Sequence, residues 1–259
     1  MEKELTGILD RLIGMLCAER GEPVPALDDE QKPDYFRALC NVRPPAPMTE
    51  EFLRLQDEYL SARTQERGIV DVGKLAYDAD GIALWRGDIT RLNADAIVNA
   101  CNPALLGCFR PLHGCIDNII HSNAGVQVRL DCDAMMRGGE EPNGRVRVTK
   151  AYNLPGRYIF HTVGPAVAGK VTDSDRRDLE SCYVSCLDKA AETGLRSLAF
   201  CCISTGVYGY PKADACRLAV STVRRKLREL SSPPRVIFDV YLAEDYELYR
   251  RELFMADEC

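Results

Sequence analysis

The first quarter of the chain carries its apolar residues at helical spacing. Over residues 3–19, leucine and isoleucine recur every three or four positions and form one stripe, which predicts an amphipathic helix. Six prolines within residues 21–47 predict loops around a short helix near residues 34–40. Thr49 is a favourable N-cap for a second long helix, and two glutamates follow it in the first turn. Residues 1–70 are therefore predicted to form a small helical extension.

Beyond residue 70 the pattern changes to short apolar runs that alternate with helical stretches. Strands are predicted over residues 82–85, 96–98, 145–150, 158–160, 198–203 and 236–242. Helices are predicted over residues 116–136 with a break near Gly125, 174–193, 211–230 with Pro211 in the first turn, and 244–255. Valines alternate with charged residues over 145–150, which is typical of an edge strand. The alternation of strands and helices indicates an α/β layered fold, in which ligands bind at loops after the strands.

Composition narrows the classes of function. The 259 residues carry a net charge of −6, which argues against a nucleic-acid partner. No apolar run approaches the roughly 20 residues of a membrane span, and the first residues lack the apolar core of a signal peptide, so we expect a cytoplasmic protein without a membrane partner. Twelve cysteines are present, and those within apolar segments are expected to be buried free thiols: Cys182, Cys186, Cys201, Cys202 and Cys216.

Two thiols and an imidazole lie within eight residues of one another in a short loop. The spacing of Cys108, His113 and Cys115 lets a single loop surround one ion, and thiolate and imidazole are the ligands that zinc prefers. Three protein ligands leave a tetrahedral zinc with one open position, as in catalytic sites. A fourth ligand from Cys101 or Cys132 would instead close the site and make the metal structural.

Three polar loops follow three predicted strands, and each alone has an ordinary explanation. Residues 86–90 are compatible with a plain turn. Asn99 and Asn102 suit sugar hydroxyls but are also typical turn residues, and Asp117 suits the first turn of a helix. The glycine-containing loop over 202–211 suits a phosphate, because it leads into a helix, but it also suits a simple connection.

Together these loops resemble the macrodomain family, which binds ADP-ribose, and most closely its MacroD-type hydrolases. The matching segments occur in family order across about residues 75–259: Gly87-Asp88-Ile89-Thr90, Val98-Asn99-Ala100-Cys101-Asn102, Leu105-Leu106-Gly107, Asp117 with Ile120-His121 and Ala124-Gly125, Thr162-Val163-Gly164-Pro165, and residues 203–211. The resemblance implies a three-layer α/β/α fold around a central mixed sheet. It divides the chain into an extension over 1–70 and a zinc-containing macrodomain over 71–259.

One departure from the MacroD-type pattern indicates a particular subclass of the family. The glycine run that usually precedes the segment of Asp117 is replaced here by the longer Cys108–Cys115 loop. This is similar to the zinc-containing microbial macrodomains, which also carry an N-terminal helical extension. The subclass implies a Zn²⁺ cofactor and removal of mono-ADP-ribose from aspartate-type ester linkages on proteins. It also implies an association with sirtuin-type ADP-ribosyltransferases and with lipoyl-carrier proteins of the glycine-cleavage H type.

The resemblance also assigns roles to individual positions. Asp88 is expected to accept a hydrogen bond from the adenine amine beside Ile89, and Tyr241 to stack on the adenine. Backbone amides are expected to bind the diphosphate from Ser204, Thr205, Gly206, Val207 and Gly209.

At the other end of the ligand, the resemblance assigns the distal ribose and the catalytic groups. Asn102 is expected to contact the ribose with Asn99 supporting its loop, Tyr208 to flank the ribose, and Tyr210 to close the far side of the phosphate loop. Asp117 and Asn102 are the expected catalytic residues, with Asp117 orienting or deprotonating the nucleophile.

Three alternative functions remain open from the sequence. A macrodomain without hydrolase activity would only bind ADP-ribosylated proteins, and one acting on O-acetyl-ADP-ribose would use the same pocket. A third alternative is a zinc-stabilised structural module with a decayed pocket. Two further histidines have simpler explanations, because His121 suits a packed core position in a helix and His161 suits a structural hydrogen bond in a strand.

Overall fold

The N-terminal extension is helical, as its pattern predicts. A computed structural model describes residues 2–254, with side chains from residue 4 onward. The extension contains α1 (Glu2–Arg20), α2 (Lys32–Val42) and α3 (Glu50–Arg67). The predicted cap of α3 is present, because the Thr49 hydroxyl accepts a hydrogen bond from the backbone N–H of Phe52 at 3.2 Å.

The rest of the chain alternates strands and helices. Its elements are β1 (Ile82–Arg86), β2 (Ala96–Ala100), α4 (Ile116–Ala124), α5 (Val126–Met136), β3 (Val146–Lys150), β4 (Tyr158–Thr162), α6 (Asp173–Glu192), β5 (Ser197–Phe200), α7 (Lys212–Glu229), β6 (Arg235–Val240) and α8 (Ala243–Phe254). Short 3-10 turns cover Val72–Lys74 and Ile89–Arg91. The predicted break at Gly125 separates α4 from α5, and residue 255, predicted to end the last helix, lies outside the described residues.

One six-stranded mixed sheet forms the centre of the fold. The strand order is β1-β6-β5-β2-β4-β3, and all neighbouring pairs are parallel except β3 and β4. The antiparallel β3 is an edge strand, as its alternating pattern predicts. Because the other strands are parallel, the loops that follow β1, β6, β5 and β2 emerge at the same edge of the sheet.

Two predicted strands end earlier in the structure than in the sequence pattern, and one of them is the strand predicted over 236–242, which ends at Val240. The run predicted over 198–203 is extended only to Phe200, because Ser204 adopts a left-handed backbone conformation (φ 64°) and the chain turns before it. Ile203 is nevertheless fully buried, which explains why the apolar run continues after the strand has ended.

The start of α7 also differs from the prediction. Pro211 is the N-cap of α7 rather than a residue of its first turn, because its ψ of 124° is not helical.

Buried apolar side chains form two clusters. The larger one lies between the sheet and its flanking helices. The smaller one lies within the extension and includes Leu12, Phe52 and Leu55. Val126 of α5 also belongs to this smaller cluster, so the extension packs directly on the start of α5. The division of the chain at residue 70 stays a prediction.

The cysteines that the sequence predicts to be buried free thiols are free, and four of the five are buried. The described cysteines are free, and Cys182, Cys186, Cys201 and Cys216 are buried while Cys202 is half-buried. Among the described residues, none of the helices combines the length and apolar character that crossing a bilayer requires.

Candidate functional site

The loops after β1 and β6 form one end of the site. The backbone N–H of Gly87 donates to the carbonyl of Val240 at 3.0 Å, which brings the ends of these two strands together. Asp88 follows β1, and its Oδ1 accepts hydrogen bonds from the N–H and the hydroxyl of Thr90 at 3.0 and 2.6 Å. Ile89 is buried, whereas Tyr241, which follows β6, is 75% exposed. An exposed aromatic side chain therefore follows the strand end that pairs with the one before Asp88.

The loop after β5 turns sharply at two positions. Ser204 and Gly209 have φ values of 64° and 67°, and the carbonyl of Ser204 accepts from the N–H of Tyr210 at 3.0 Å. Val207 at its tip is 77% exposed, while Tyr210 is buried. The N–H of Gly209 already donates to the carbonyl of Gly206 at 3.0 Å, so a diphosphate at this amide would share the donor. The compact loop stands ahead of the N-terminus of α7, as an anion site requires.

A neighbouring segment supports this loop from behind. The N–H of Val167 donates to the carbonyl of Tyr208 at 2.8 Å. A Cβ at Gly164 would stand only 2.2 Å from the Ser204 hydroxyl oxygen and 2.7 Å from a methyl carbon of Ile203. The glycine of the Thr-Val-Gly-Pro segment is therefore needed for close packing against the loop after β5.

The end of β2 brings the two predicted catalytic residues together. Asn99 is fully buried, and its Nδ2 donates to Asp117 Oδ1 at 2.8 Å. Nδ2 of Asn102 donates to the carbonyl of Gly107 at 2.9 Å and approaches Asp117 Oδ2 at 3.4 Å. Both oxygens of the carboxylate thus face asparagine amides, and the role of Asn99 in supporting the ribose loop stays a prediction.

Burial changes the acidity of Asp117. Its side chain is only 5% exposed, and desolvation raises the pKa of the carboxyl to about 6, although the hydrogen bond from Asn99 and the charge of Arg129 act in the opposite direction. His121 Nε2 lies 3.4 Å from Asp117 Oδ1, in a geometry that is not a hydrogen bond. The carboxylate is therefore held mainly by amides.

The Cys/His loop gathers its three side chains as the spacing predicts. One ligand atom each from Cys108, His113 and Cys115 lies within 4.8 Å of the others, and Cys108 Sγ is 3.5 Å from His113 Nδ1. Ordinary zinc–sulfur and zinc–nitrogen bonds at tetrahedral angles separate these atoms by about 3.5 Å. Cys115 caps α4, its Sγ accepting from the backbone N–H of Asn118 at 3.5 Å. The donor set and its spacing fit a zinc ion.

A second group of ligand-type side chains lies deeper. His121, Cys132 and His161 are buried and also lie within 4.8 Å of one another. His161 Nε2 pairs with the Thr149 hydroxyl at 2.9 Å, and its Nδ1 lies 3.2 Å from Asn99 Nδ2, which agrees with the expected structural hydrogen bond. Burial lowers the pKa of His161 to about 3 and that of His121 well below its ordinary value, so both rings are neutral.

The two cysteines considered as alternative fourth zinc ligands lie elsewhere. The Cys101 thiol donates to the carbonyl of Thr162 at 3.3 Å, and Cys132 Sγ lies 3.9 Å from His161 Nε2. Neither belongs to the group formed by Cys108, His113 and Cys115.

Several residues around the site carry no sequence signal. Arg67 of α3 donates to Asp88 Oδ2 and to the Thr90 hydroxyl, both at 3.3 Å. Arg37 and Asn41 of α2 contact the Cys/His loop. These side chains are between 21 and 76 positions away from their partners in the chain, so no local spacing pattern relates them.

Comparison with known proteins places the chain in a family. The Macro domain model matches residues 98–219. A protein-ADP-ribose hydrolase of Treponema medium is 45% identical over 237 residues, covering 89% of this chain and 90% of that protein. The chain belongs to the macrodomain family. A protein-ADP-ribose hydrolase of Staphylococcus aureus is likewise similar to this macrodomain, at 45% identity over 228 residues that cover 86% of this chain and 85% of the relative.

Solved macrodomain structures share the fold. A Trypanosoma brucei macrodomain in complex with ADP-ribose is 32% identical with a TM-score of 0.65, covering 83% of this chain and 94% of that one. An Oceanobacillus iheyensis macrodomain with ADP is 35% identical with a TM-score of 0.61, covering 66% and 89%. The expected macrodomain fold is confirmed, with its six-stranded mixed sheet flanked by helices.

Proposed function

We propose that this macrodomain is a zinc-dependent hydrolase that removes mono-ADP-ribose from carboxylate esters on proteins. The observation that carries the proposal is the junction between the Cys/His loop and the predicted ribose site. Asn102 Nδ2 bonds the carbonyl of Gly107, and the next residue is Cys108, the first of the three clustered ligands. The relatives named protein-ADP-ribose hydrolase support hydrolysis over binding alone.

The three side chains of the loop would hold the metal. Cys108, His113 and Cys115 are each half-buried, so the site has a solvent-facing side that a substrate can approach. When bound, zinc supplies a Lewis acid beside the ribose ester.

The residues of the chain would orient the ligand along the sheet edge. Asp88 receives the adenine amine and Tyr241 stacks on the ring, and the loop from Ser204 to Tyr210 holds the diphosphate. Asn102 fixes the distal ribose at the β2 end. The solved complex of a similar macrodomain with ADP-ribose supports this ligand.

Asp117 would act by orienting groups at the ribose. Its carboxylate is buried and faces the amides of Asn99 and Asn102, which supports a role in fixing the direction of the Asn102 side chain and of the attacking water. Water splits the ester, the protein regains its carboxyl group, and free ADP-ribose leaves.

The substrate is a mono-ADP-ribosylated protein. The Cys/His loop and the helical extension together support the zinc-containing subclass, and on that basis we propose reversal of sirtuin-type modification on a lipoyl-carrier protein of the glycine-cleavage H type. Acidic residues of such a carrier would bear the ester.

The test is release of free ADP-ribose from an aspartate-linked mono-ADP-ribosylated protein, before and after zinc chelation and after zinc is restored. We expect release to stop on chelation and to return with zinc. His113→Ala should remove release while ADP-ribose still binds, and Cys216→Ala, which changes a buried cysteine of α7, should leave it intact. Binding of ADP-ribose without release under any condition would indicate a reader module. A variant can lose hydrolysis of O-acetyl-ADP-ribose and of the modified protein equally, which does not show which of them is the substrate. The rates on the two substrates are therefore compared for the wild-type protein.

A further inference from the structure

One buried asparagine lies directly beneath the Cys/His loop. Asn118 is fully buried, and its Nδ2 donates to the carbonyls of Cys108 and Arg110 at 3.3 and 3.0 Å. Its backbone N–H donates to Cys115 Sγ at 3.5 Å. Both ends of the loop are therefore fixed to one residue of α4.

Helix α2 of the extension completes this network from the other side. Arg37 Nη2 donates to Asn118 Oδ1 at 2.7 Å and to the carbonyl of His113 at 2.9 Å. One guanidinium thus bonds both the asparagine that supports the loop and the backbone of the histidine ligand. Because the charge assists these bonds, they are stronger than neutral ones.

A second side chain of α2 fixes the middle of the loop. Asn41 is 2% exposed, its Oδ1 accepts from the backbone N–H of Leu112 at 3.0 Å, and its Nδ2 donates to the Ser122 hydroxyl at 3.0 Å. Leu112 has a φ of 53°, in the left-handed region that leucine rarely adopts. The hydrogen bond that Leu112 donates to Asn41 holds the residue before His113 in this unfavourable conformation.

We infer that Arg37 and Asn41 are positioning residues of the metal site, so that the N-terminal extension is part of that site. The inference rests on the proposed binding of zinc by Cys108, His113 and Cys115. Ligands held in place before the metal arrives bind it more tightly, and loss of outer partners typically weakens metal affinity by about 10–100-fold.

The test measures zinc affinity in the full chain by competition with a chromophoric chelator. Arg37→Ala and Asn41→Ala should each weaken zinc binding by about 10–100-fold while ADP-ribose affinity stays within about twofold of wild type. Arg63→Ala is the matched control, because Arg63 lies on α3 and pairs with Glu66 at 2.6 Å. Its zinc affinity should equal that of the wild type.

A spectroscopic measurement separates positioning from loss of stability. With cobalt in place of zinc, Arg37→Ala should alter the visible absorption of the tetrahedral thiolate complex, whereas a variant that only lowers stability should not. Wild-type zinc affinity and cobalt spectra in both α2 variants would overturn the inference and leave the proposed function standing. A wild type that binds no zinc would overturn both.

If either alanine variant does not fold, the apo wild type carries the test through amide exchange. The Leu112 amide should then exchange more slowly than that of Phe109 because it donates to Asn41. Rapid exchange of the Leu112 amide would contradict the inference.

Discussion

At the scale of single residues, the loop after β5 depends on a glycine outside it. Ser204 adopts a left-handed conformation, and its hydroxyl lies where a Cβ on Gly164 would stand. Because backbone amides of this loop are the proposed diphosphate donors, a change at Gly164 should be read out in ligand affinity as well as in stability.

We predict that Gly164→Ala lowers both the affinity for ADP-ribose and the free energy of unfolding. The new methyl group would stand 2.2 Å from the Ser204 hydroxyl oxygen, so either the loop or the segment around Gly164 must move. Overpacking of this kind costs about 1–3 kcal/mol of unfolding free energy. We expect ADP-ribose affinity, measured by calorimetry, to fall about tenfold or more.

The matched control is Gly14→Ala in α1, where a new Cβ meets nothing within 4 Å. Alanine is favoured over glycine by about 1 kcal/mol in a helix, so this variant should gain stability and keep its affinity. Wild-type affinity in Gly164→Ala would contradict the proposed place of the loop in ligand binding.

At the scale of elements, helices of the extension reach both ends of the proposed ligand site. Helix α2 bonds the Cys/His loop, and α3 places Arg67 against Asp88 and Thr90. Burial lowers the pKa of the Arg67 guanidinium, because desolvation outweighs the nearby carboxylate. The extension therefore shapes the site rather than merely covering a surface.

Arg67→Ala should weaken recognition of adenine. Without the guanidinium, Asp88 Oδ2 loses a partner that holds the carboxylate in place for its proposed contact with the adenine amine. A hydrogen bond of this kind is worth about 0.5–1.5 kcal/mol, so we expect ADP-ribose affinity to fall about threefold to tenfold. The preference for ADP-ribose over its inosine analogue, which lacks the amine, should shrink with it.

Calorimetry with both ligands checks this result, and Arg63→Ala, on the same helix but paired with Glu66, should match the wild type. An unchanged preference for ADP-ribose over the inosine analogue in Arg67→Ala would mean that Asp88 does not depend on Arg67.

At the scale of the whole molecule, buried neutral histidines link stability to pH. The unfolded chain protonates His161 near its ordinary pKa of about 6.5, whereas burial lowers the pKa of the folded residue to about 3. Below about pH 6.5 the unfolded state therefore binds more protons, and stability falls as pH falls. Asp117 acts in the opposite direction, because burial raises the pKa of its carboxyl to about 6 and the folded state then takes up the proton first.

Replacing His161 isolates its contribution to the pH dependence of stability. Between about pH 7.5 and 5.5, the wild type should lose about 1.4 kcal/mol more unfolding free energy than His161→Gln, as measured in urea. Between about pH 7.5 and 8.5 the two proteins should change in parallel. Parallel curves across the acidic range would show that His161 takes up a proton in the folded protein.

Local patterns predict most of the architecture. The helical stripe of α1, the Thr49 cap of α3, the break at Gly125 and the alternating edge strand β3 are all found where the sequence predicts them. The gathering of Cys108, His113 and Cys115 also follows from spacing, because a loop of eight residues confines them. Strand ends are less well predicted, since apolar residues such as Ile203 continue beneath the site after the strand has ended.

The order of elements, the family and the grouping of the Cys/His side chains could all be predicted from the sequence, because they depend on contacts between near neighbours and on contiguous motifs. Three features came from the folded chain alone: Arg37 and Asn41 contact the Cys/His loop, Arg67 contacts Asp88, and Asp117 is buried between two asparagines. These contacts join distant parts of the chain, and the packing that creates them also sets the burial on which the pKa of Asp117 depends.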